Sequence, residues 1–131
     1  MKVLAADGIS SKGIELLRKE FEVDVKDKLP AEELLEIIPE YDALMVRSAS
    51  KVTAEVIARA KKLKIIGRAG VGVDNIDIPA ATAKGIIVIN SPGGNTIAAT
   101  EHTMAMMLAM SRNIPVANET MQQGLWNRNI T

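Results

Sequence analysis

Two arginines and a pair of glycines carry most of the chemistry this sequence offers. Arg68 ends the run Lys64-Ile65-Ile66-Gly67, and Gly70-Val71-Gly72 and Val73-Asp74-Asn75 follow it, leading into a helix start. A guanidinium is a fixed charge with a planar fork of donors that matches carboxylate or phosphate. Glycine has no Cβ, so the backbone at Gly70 and Gly72 can come within hydrogen-bonding distance of a ligand. The segment reads as the floor of an anion site at the carboxyl end of a parallel sheet. A second arginine, Arg47, ends the run Tyr41-Asp42-Ala43-Leu44-Met45-Val46, with Ser48 after it. If the two runs are neighbouring parallel strands, ~4.8 Å apart, both guanidiniums emerge on the edge where open α/β sheets bind ligands. Two adjacent arginines repel unless something anionic lies between them. The competing reading pairs each arginine with a surface acid, Asp74 or Asp7.

Other readings of these residues stay open. Gly70-Val71-Gly72 begins a dinucleotide fingerprint, but Asn75 stands where its third glycine belongs, and Asn90 stands where an acid should meet the ribose. A glycine-rich turn with no ligand fits the same letters. His102 beside Glu101 invites acid/base chemistry; a partly buried histidine at a helix interface fits equally, and no candidate nucleophile stands nearby. A phosphoryl-accepting domain needs acids at the ends of its first and third strands and a lysine after the fifth; Asp7 suits, whereas Arg47 and Asn90 do not. A flavin carrier needs aromatics, and the chain has one Trp, one Tyr and one Phe.

The composition sets outer limits. With 131 residues, 47% hydrophobic and 24% charged, the chain has the make-up of one globular domain. Its formal net charge is zero and it has no basic tract, so no nucleic-acid partner is expected. It has no cysteine, which removes disulfides and thiolate chemistry, and one histidine, which leaves no protein-only metal site to expect. The start Met1-Lys2-Val3-Leu4 does not resemble a signal peptide, and no apolar run reaches the ~18 residues of a membrane span. A cytoplasmic location is the expectation.

The elements that must position the arginines alternate. Lys2 to Ala6 reads as a strand ending at Asp7-Gly8. Ser10 or Ser11 caps a helix with Ile14, Leu17 and Phe21 on one face. Glu22 to Val25 alternates as an edge strand. Pro30 opens a helix with Leu34, Leu35, Ile37 and Ile38 inward. Tyr41 to Val46 is the third strand, and Thr53 caps a helix through about Lys61. Lys64 to Gly67 is the fourth strand. Asp77 and Pro79 start a helix that stops at Gly85. Ile86 to Asn90, continuously apolar, reads as a fifth strand buried on both faces. Such alternation predicts an α/β fold, a flavodoxin-like five-stranded parallel sheet of order 2-1-3-4-5 with helices on both faces. A long apolar helix follows, Thr96 to Arg112. Because its hydrophobic residues lie nearly all round, it should be buried on every side, by a second copy or by further chain. Pro115 breaks it, a shorter helix runs to Gly124, Leu125-Trp126 serves as an apolar anchor, and Asn129-Ile130-Thr131 forms a polar tail.

Five segments together carry a family resemblance: Val46-Arg47-Ser48-Ala49-Ser50-Lys51-Val52-Thr53, Gly67 to Asn75, Ala80 to Ile86, Asn90-Ser91-Pro92-Gly93-Gly94-Asn95, and Gly124-Leu125-Trp126. They resemble, in order and across nearly the whole chain, the N-terminal part of the phosphoglycerate dehydrogenases, a branch of the D-isomer specific 2-hydroxyacid dehydrogenase family. The resemblance implies a flavodoxin-like substrate-binding domain over 1–95, and an interdomain and dimerisation helix with tail over 96–131, truncated before the NAD-binding domain. It implies that Arg47, Ser48, Arg68, Gly70 and Gly72 contact 3-phosphoglycerate or a similar anionic 2-hydroxy acid, and that Val71, Asn95 and Thr96 border the NAD cofactor. The family's catalytic arginine, glutamate and histidine, like its true fingerprint and the last helix that returns to its substrate domain, match nothing here. His102 is not that histidine. The expectation is a portion that binds substrate, holds NAD weakly at most, turns nothing over by itself, and forms a homodimer or helix-exchanged dimer through 96–112. The rival expectation is a stand-alone flavodoxin-like module that folds and self-associates without enzymatic activity.

Overall fold

The computed structural model describes residues 1–126. The chain forms two compact units, one over Met1–Gly94 and a second beginning at Asn95. In the first, β1 (Lys2–Ala6), α1 (Ser11–Arg18), β2 (Glu22–Lys26), α2 (Ala31–Ile37) and a 3-10 turn (Ile38–Glu40) precede β3 (Ala43–Val46). Then come α3 (Ala54–Arg59), β4 (Ile65–Arg68), α4 (Ile78–Ala83) and β5 (Ile87–Asn90). The five strands form one sheet in the order β2-β1-β3-β4-β5, every pair parallel.

Local chemistry sets the helix ends. The Ser10 hydroxyl accepts the Gly13 N–H at 3.3 Å, the Thr53 hydroxyl that of Val56 at 3.4 Å, and the Asp77 carboxylate that of Ala80 at 2.9 Å. Each satisfies an amide that the first turn of a helix leaves without a partner. Gly85, at φ 69°, ends α4 in the left-handed region that a Cβ disfavours. α1 stops at Arg18, short of Phe21, which is 37% exposed rather than part of the helix's inner face.

The sheet is covered unequally. On one side Leu4, Ala6, Leu44, Val46 and Ile66 pack against Leu34 of α2, Val56 and Ile57 of α3, and Ala81 of α4. Leu4, Leu44 and Ile66 are fully buried, each contributing about 1.5–3 kcal/mol by leaving water. On the other side Val3, Ala5, Val23 and Ala43 meet Ile14 of α1. β5 departs from the expectation of burial on both faces: Ile87 is 60% and Ile89 50% exposed, while Ile86 is buried and Val88 packs on the core. It is an edge strand covered on one face.

The second unit holds α5 (Thr96–Ser111) and α6 (Ile114–Gln122), joined at Asn113, whose φ of 50° turns the chain before Pro115. α5 has no buried residue, and Met104, Met106, Met107, Leu108 and Met110 are each half exposed or more. Within this single chain nothing buries α5; the expected cover, a second copy or further chain, is not among the described residues. Nor are Leu125 and Trp126 an anchor, at 56% and 71% exposed. Among the described residues no helix is long and apolar enough to cross a membrane. The expected tail, Asn129 to Thr131, lies outside the described residues.

Candidate functional site

Pairing of β3 with β4 sets Val46 opposite Arg68, so Arg47 is the residue that leaves β3 just beyond this pair. The strands that end in the two arginines are therefore neighbours, as the sequence led us to expect, and both end at the carboxyl edge. Arg68 does not extend freely from it. Its Nη1 donates to the Gly72 carbonyl and its Nη2 lies 3.9 Å from an Asp74 carboxylate oxygen. The side chain is only 11% exposed, and its Nε is buried without a hydrogen-bond partner among the described residues.

This pose explains the glycines. A Cβ on Gly70 would stand 3.1 Å from Arg68 Nη1; one on Gly72 would stand 3.2 Å from it and 2.7 Å from Asp74 Oδ1. The space that the sequence reading reserved for a ligand is filled by the guanidinium itself. The end of β5 holds the same loop, with the Ser91 N–H donating to the Gly70 carbonyl at 3.0 Å and the Asn90 amide to the Val71 carbonyl at 2.6 Å. Asn90 thus has a structural task in place of the ribose contact the fingerprint required. No helix starts at Asn75 either: residues 69–77 intervene between β4 and α4, with Asp77 as the cap. A dinucleotide fingerprint needs a helix N-terminus beside its glycines to meet the pyrophosphate. The Gly70–Gly72 loop lacks one, and does not fit that group.

The loop after β3 is held from two sides. Asp7, at φ 64°, receives the N–H groups of Arg47 (3.0 Å) and Ser50 (2.8 Å) on Oδ2, and the Ser50 hydroxyl (2.6 Å) on Oδ1. Asn75 donates its amide to the carbonyls of Arg47 (2.7 Å) and Ser50 (2.6 Å). Arg47 and Ser48 themselves are exposed, and Ser50 is buried. The acid pairings weighed from sequence thus take a specific form: Asp74 lies near the Arg68 side chain, and Asp7 binds the backbone of Arg47. Sequence reasoning named Asp7 and Asn75 for other roles and missed Ser50. A polar residue following each of several strands was the signal, and it does not say which loop each one reaches.

Beside the arginine edge an open groove of about 1050 Å³ is lined by Ser48, Lys51, Gly72, Asp74, Asn75 and Asp77 among others. It lies between the N-terminal ends of α3 and α4, which the parallel bridge Val52–Ile76 draws together. Arg47, Ser48, Arg68, Gly70, Val71 and Gly72 share one end of the first unit. Asn95 and Thr96 belong to the second unit, at the start of α5, where the Ala99 N–H donates to the Asn95 carbonyl at 2.8 Å. His102 and Glu101 are exposed on α5 within this single chain.

Perturbed ionisation lies elsewhere, at the amino-terminal ends of the strands. The Tyr41 hydroxyl donates to Asp24 at 2.8 Å and Lys2 Nζ stands 3.1 Å away; these hydrogen bonds, Tyr41's first, hold the Asp24 carboxyl below its ordinary value. Burial first, then Asp24, raises the Tyr41 phenol. The Lys2 N–H lowers Asp42, and the bond to Asp24 raises the Lys2 ammonium. Shifted groups often mark active sites; here they mark a structural cluster at the end of the sheet opposite the arginines.

Residues 3–127 match the family model described as D-isomer specific 2-hydroxyacid dehydrogenase, catalytic domain. The chain is 57% identical over 127 residues to a D-3-phosphoglycerate dehydrogenase of Synechocystis, covering 97% of this chain and 23% of that protein. It is 57% identical over 129 residues to the D-3-phosphoglycerate dehydrogenase of Archaeoglobus fulgidus, covering 98% and 24%. The chain therefore spans about a quarter of the length of these relatives. Among solved structures, the TT0316 protein of Thermus thermophilus superposes with a TM-score of 0.90 at 33% identity, over 99% of this chain and 44% of that one. The NAD+-bound 3-phosphoglycerate dehydrogenase of Entamoeba histolytica superposes with a TM-score of 0.73 at 33% identity, over 83% of this chain and 38% of that one.

Proposed function

We propose, on the premise that this chain belongs to the D-isomer specific 2-hydroxyacid dehydrogenase family, that its first unit binds the anionic substrate of an NAD-dependent D-3-phosphoglycerate dehydrogenase. In that enzyme the C2 hydroxyl of 3-phosphoglycerate is oxidised to a ketone, the entry to serine synthesis. The observation that carries the reading is the carboxyl edge of β3 and β4, where Arg47 and Arg68 leave adjacent parallel strands. Arg68 is largely shielded from water, which strengthens its field on an anion. Arg47, Ser48 and Arg68 hold phosphate and carboxylate, with Gly70 and Gly72 contributing the room in which the Arg68 guanidinium is seated, so that positioning is this unit's contribution to the reaction. In the first unit Val71, 43% exposed on a loop pinned by Asn90, borders the nicotinamide end of NAD; Asn95 and Thr96, in the second unit, are by themselves candidate contacts to NAD. NAD supplies the hydride acceptor when bound. The glycine loop has no pyrophosphate cradle, so these 131 residues alone are expected to hold NAD weakly and to give no NADH with 3-phosphoglycerate.

Calorimetric titration of 3-phosphoglycerate into the chain and into Arg68→Ala tests the reading. Saturable binding that Arg68→Ala lowers at least about tenfold is expected, the loss of one charge-assisted contact. Equal binding by both proteins overturns the site.

A second reading rests on the apolar surface of α5, where Leu108 is 60% and Met110 70% exposed. The chain self-associates through residues 96–112, as a homodimer or by exchanging helices, because apolar surface on this scale is rarely left in water. As a stand-alone folding module without enzymatic activity it would do this and nothing more. Light scattering at rising concentration separates the cases: a monomer throughout refutes self-association, and a dimer that ignores 3-phosphoglycerate favours the module over the dehydrogenase portion.

A further inference from the structure

We propose that Asp7 and Asn75 are positioning residues of the anion site, together fixing the pose from which Arg47 and Ser48 meet the substrate. The inference rests on the reading of the arginine edge given above. Residues 47–50 leave β3 without joining another strand or helix, and such a segment ordinarily samples many conformations, whose loss on ordering would weigh against ligand binding. Here the ordering is already done. The N–H groups of Arg47 and Ser50 bind Asp7, and the carbonyls of the same two residues bind Asn75. Two side chains from distant loops therefore fix both ends of a segment whose Arg47 and Ser48 side chains stay exposed.

Neither residue is suited to touch the anion itself. Both carboxylate oxygens of Asp7 are already occupied, and its charge opposes a phosphate. The Asn75 amide nitrogen is committed to two carbonyls. An acid beside an anion site makes sense only if its contribution is geometric. Asp7 is also suited to its backbone, since at φ 64° aspartate and asparagine are the side chains best tolerated after glycine.

The test pairs one disruptive and one conservative variant, with 3-phosphoglycerate as the probe. Asn75→Ala removes both donors from an accessible loop. Asp7→Asn keeps an oxygen for the two N–H groups, keeps the tolerated φ, and removes the charge. Affinity is measured by calorimetry, and amide exchange by NMR at Arg47 and Ser50, with Leu44 and Ile66 as core references. Asn75→Ala is expected to speed exchange at Arg47 and Ser50 at least about tenfold, leave the core amides unchanged, and weaken binding at least about fivefold. Asp7→Asn is expected to bind as the parent chain does, or more tightly. Undiminished binding by Asn75→Ala with its loop amides exchanging freely overturns the proposal and leaves the arginine site standing. So does an Asp7→Asn that loses binding as far as Asn75→Ala while its Arg47 and Ser50 amides stay protected, because the pose would then be kept and binding lost all the same. Absence of binding by the parent chain overturns the site reading and this proposal together.

Discussion

Lys84 closes α4, and its ammonium donates to three carbonyls at the end of α3: Ile57 and Ala58 at 2.8 Å, Ala60 at 3.3 Å. The last carbonyls of any helix lack partners and carry the negative end of its dipole. α3 is six residues long, and its main task is to press Val56 and Ile57, 3% and 1% exposed, into the core. Lys84→Met keeps the length and apolar stem of the side chain while deleting charge and donors. A charge-assisted hydrogen bond contributes about 1.5–3 kcal/mol where water is excluded. Lys84 is an exposed residue, and water can replace the ammonium at these carbonyls. The loss expected is therefore about 1–2 kcal/mol for the three contacts together, at the lower end of the range. For a chain of this size that is a fall in Tm of about 4–8 °C. Thermal melts and urea titrations at neutral pH measure it, with the midpoint falling and the slope m unchanged. Lys84→Arg should recover part of the loss, and about 0.5 M salt should shrink the difference by screening. Affinity for 3-phosphoglycerate should hold at temperatures well below the melt, because Lys84 acts at the C-terminal ends of α3 and α4 and the groove lies at their N-terminal ends. A Lys84→Met protein that melts within about 1 °C of the parent refutes the reasoning, since three such contacts cannot be lost at so small a cost.

Gly70→Ala places a Cβ 3.1 Å from Arg68 Nη1 and displaces the guanidinium; calorimetry should show 3-phosphoglycerate binding weakened about tenfold, with Tm little changed. Asp74→Asn removes a competing carboxylate, but at 3.9 Å and 85% exposure it is worth less than about 0.5 kcal/mol, so binding should tighten about twofold and the gain should vanish in high salt. Asp24 and Asp42 are held below their ordinary value of 3.8, so their contribution to stability is complete above that value and is lost as pH falls through their lower folded values. Melts across the acid range should show this limb, and Tyr41→Phe should weaken it, because the Tyr41 hydroxyl is the first cause of the Asp24 shift.

Much of the frame was legible because it is local. Ser10, Thr53 and Asp77 each bind an amide three residues on, and Gly85 supplies its own φ, so helix starts and a helix stop follow from neighbours in the chain. Alternation of apolar runs with capped helical stretches then leads to a parallel sheet, and the sheet sets Arg47 and Arg68 at one edge. What the letters left open was coverage. Ile87 and Ile89, the methionines of α5, and Trp126 are as apolar as any core residue, yet all stand in solvent. Hydropathy states what a side chain prefers, and not whether another element lies against it.

The sequence by itself determined the element order, the strand ends that carry the arginines, and the family to which the chain belongs. Tertiary structure alone decided that Asp7 and Asn75 clamp residues 47–50, from separations of 40 and 43 residues for Asp7 and 28 and 25 for Asn75, and that Gly70 and Gly72 make room for Arg68. The reason is one of range. Capping and periodicity act across a turn or two and leave their mark on adjacent letters, whereas a carboxylate meets a distant amide only after the strands between them have paired and brought their ends to one edge.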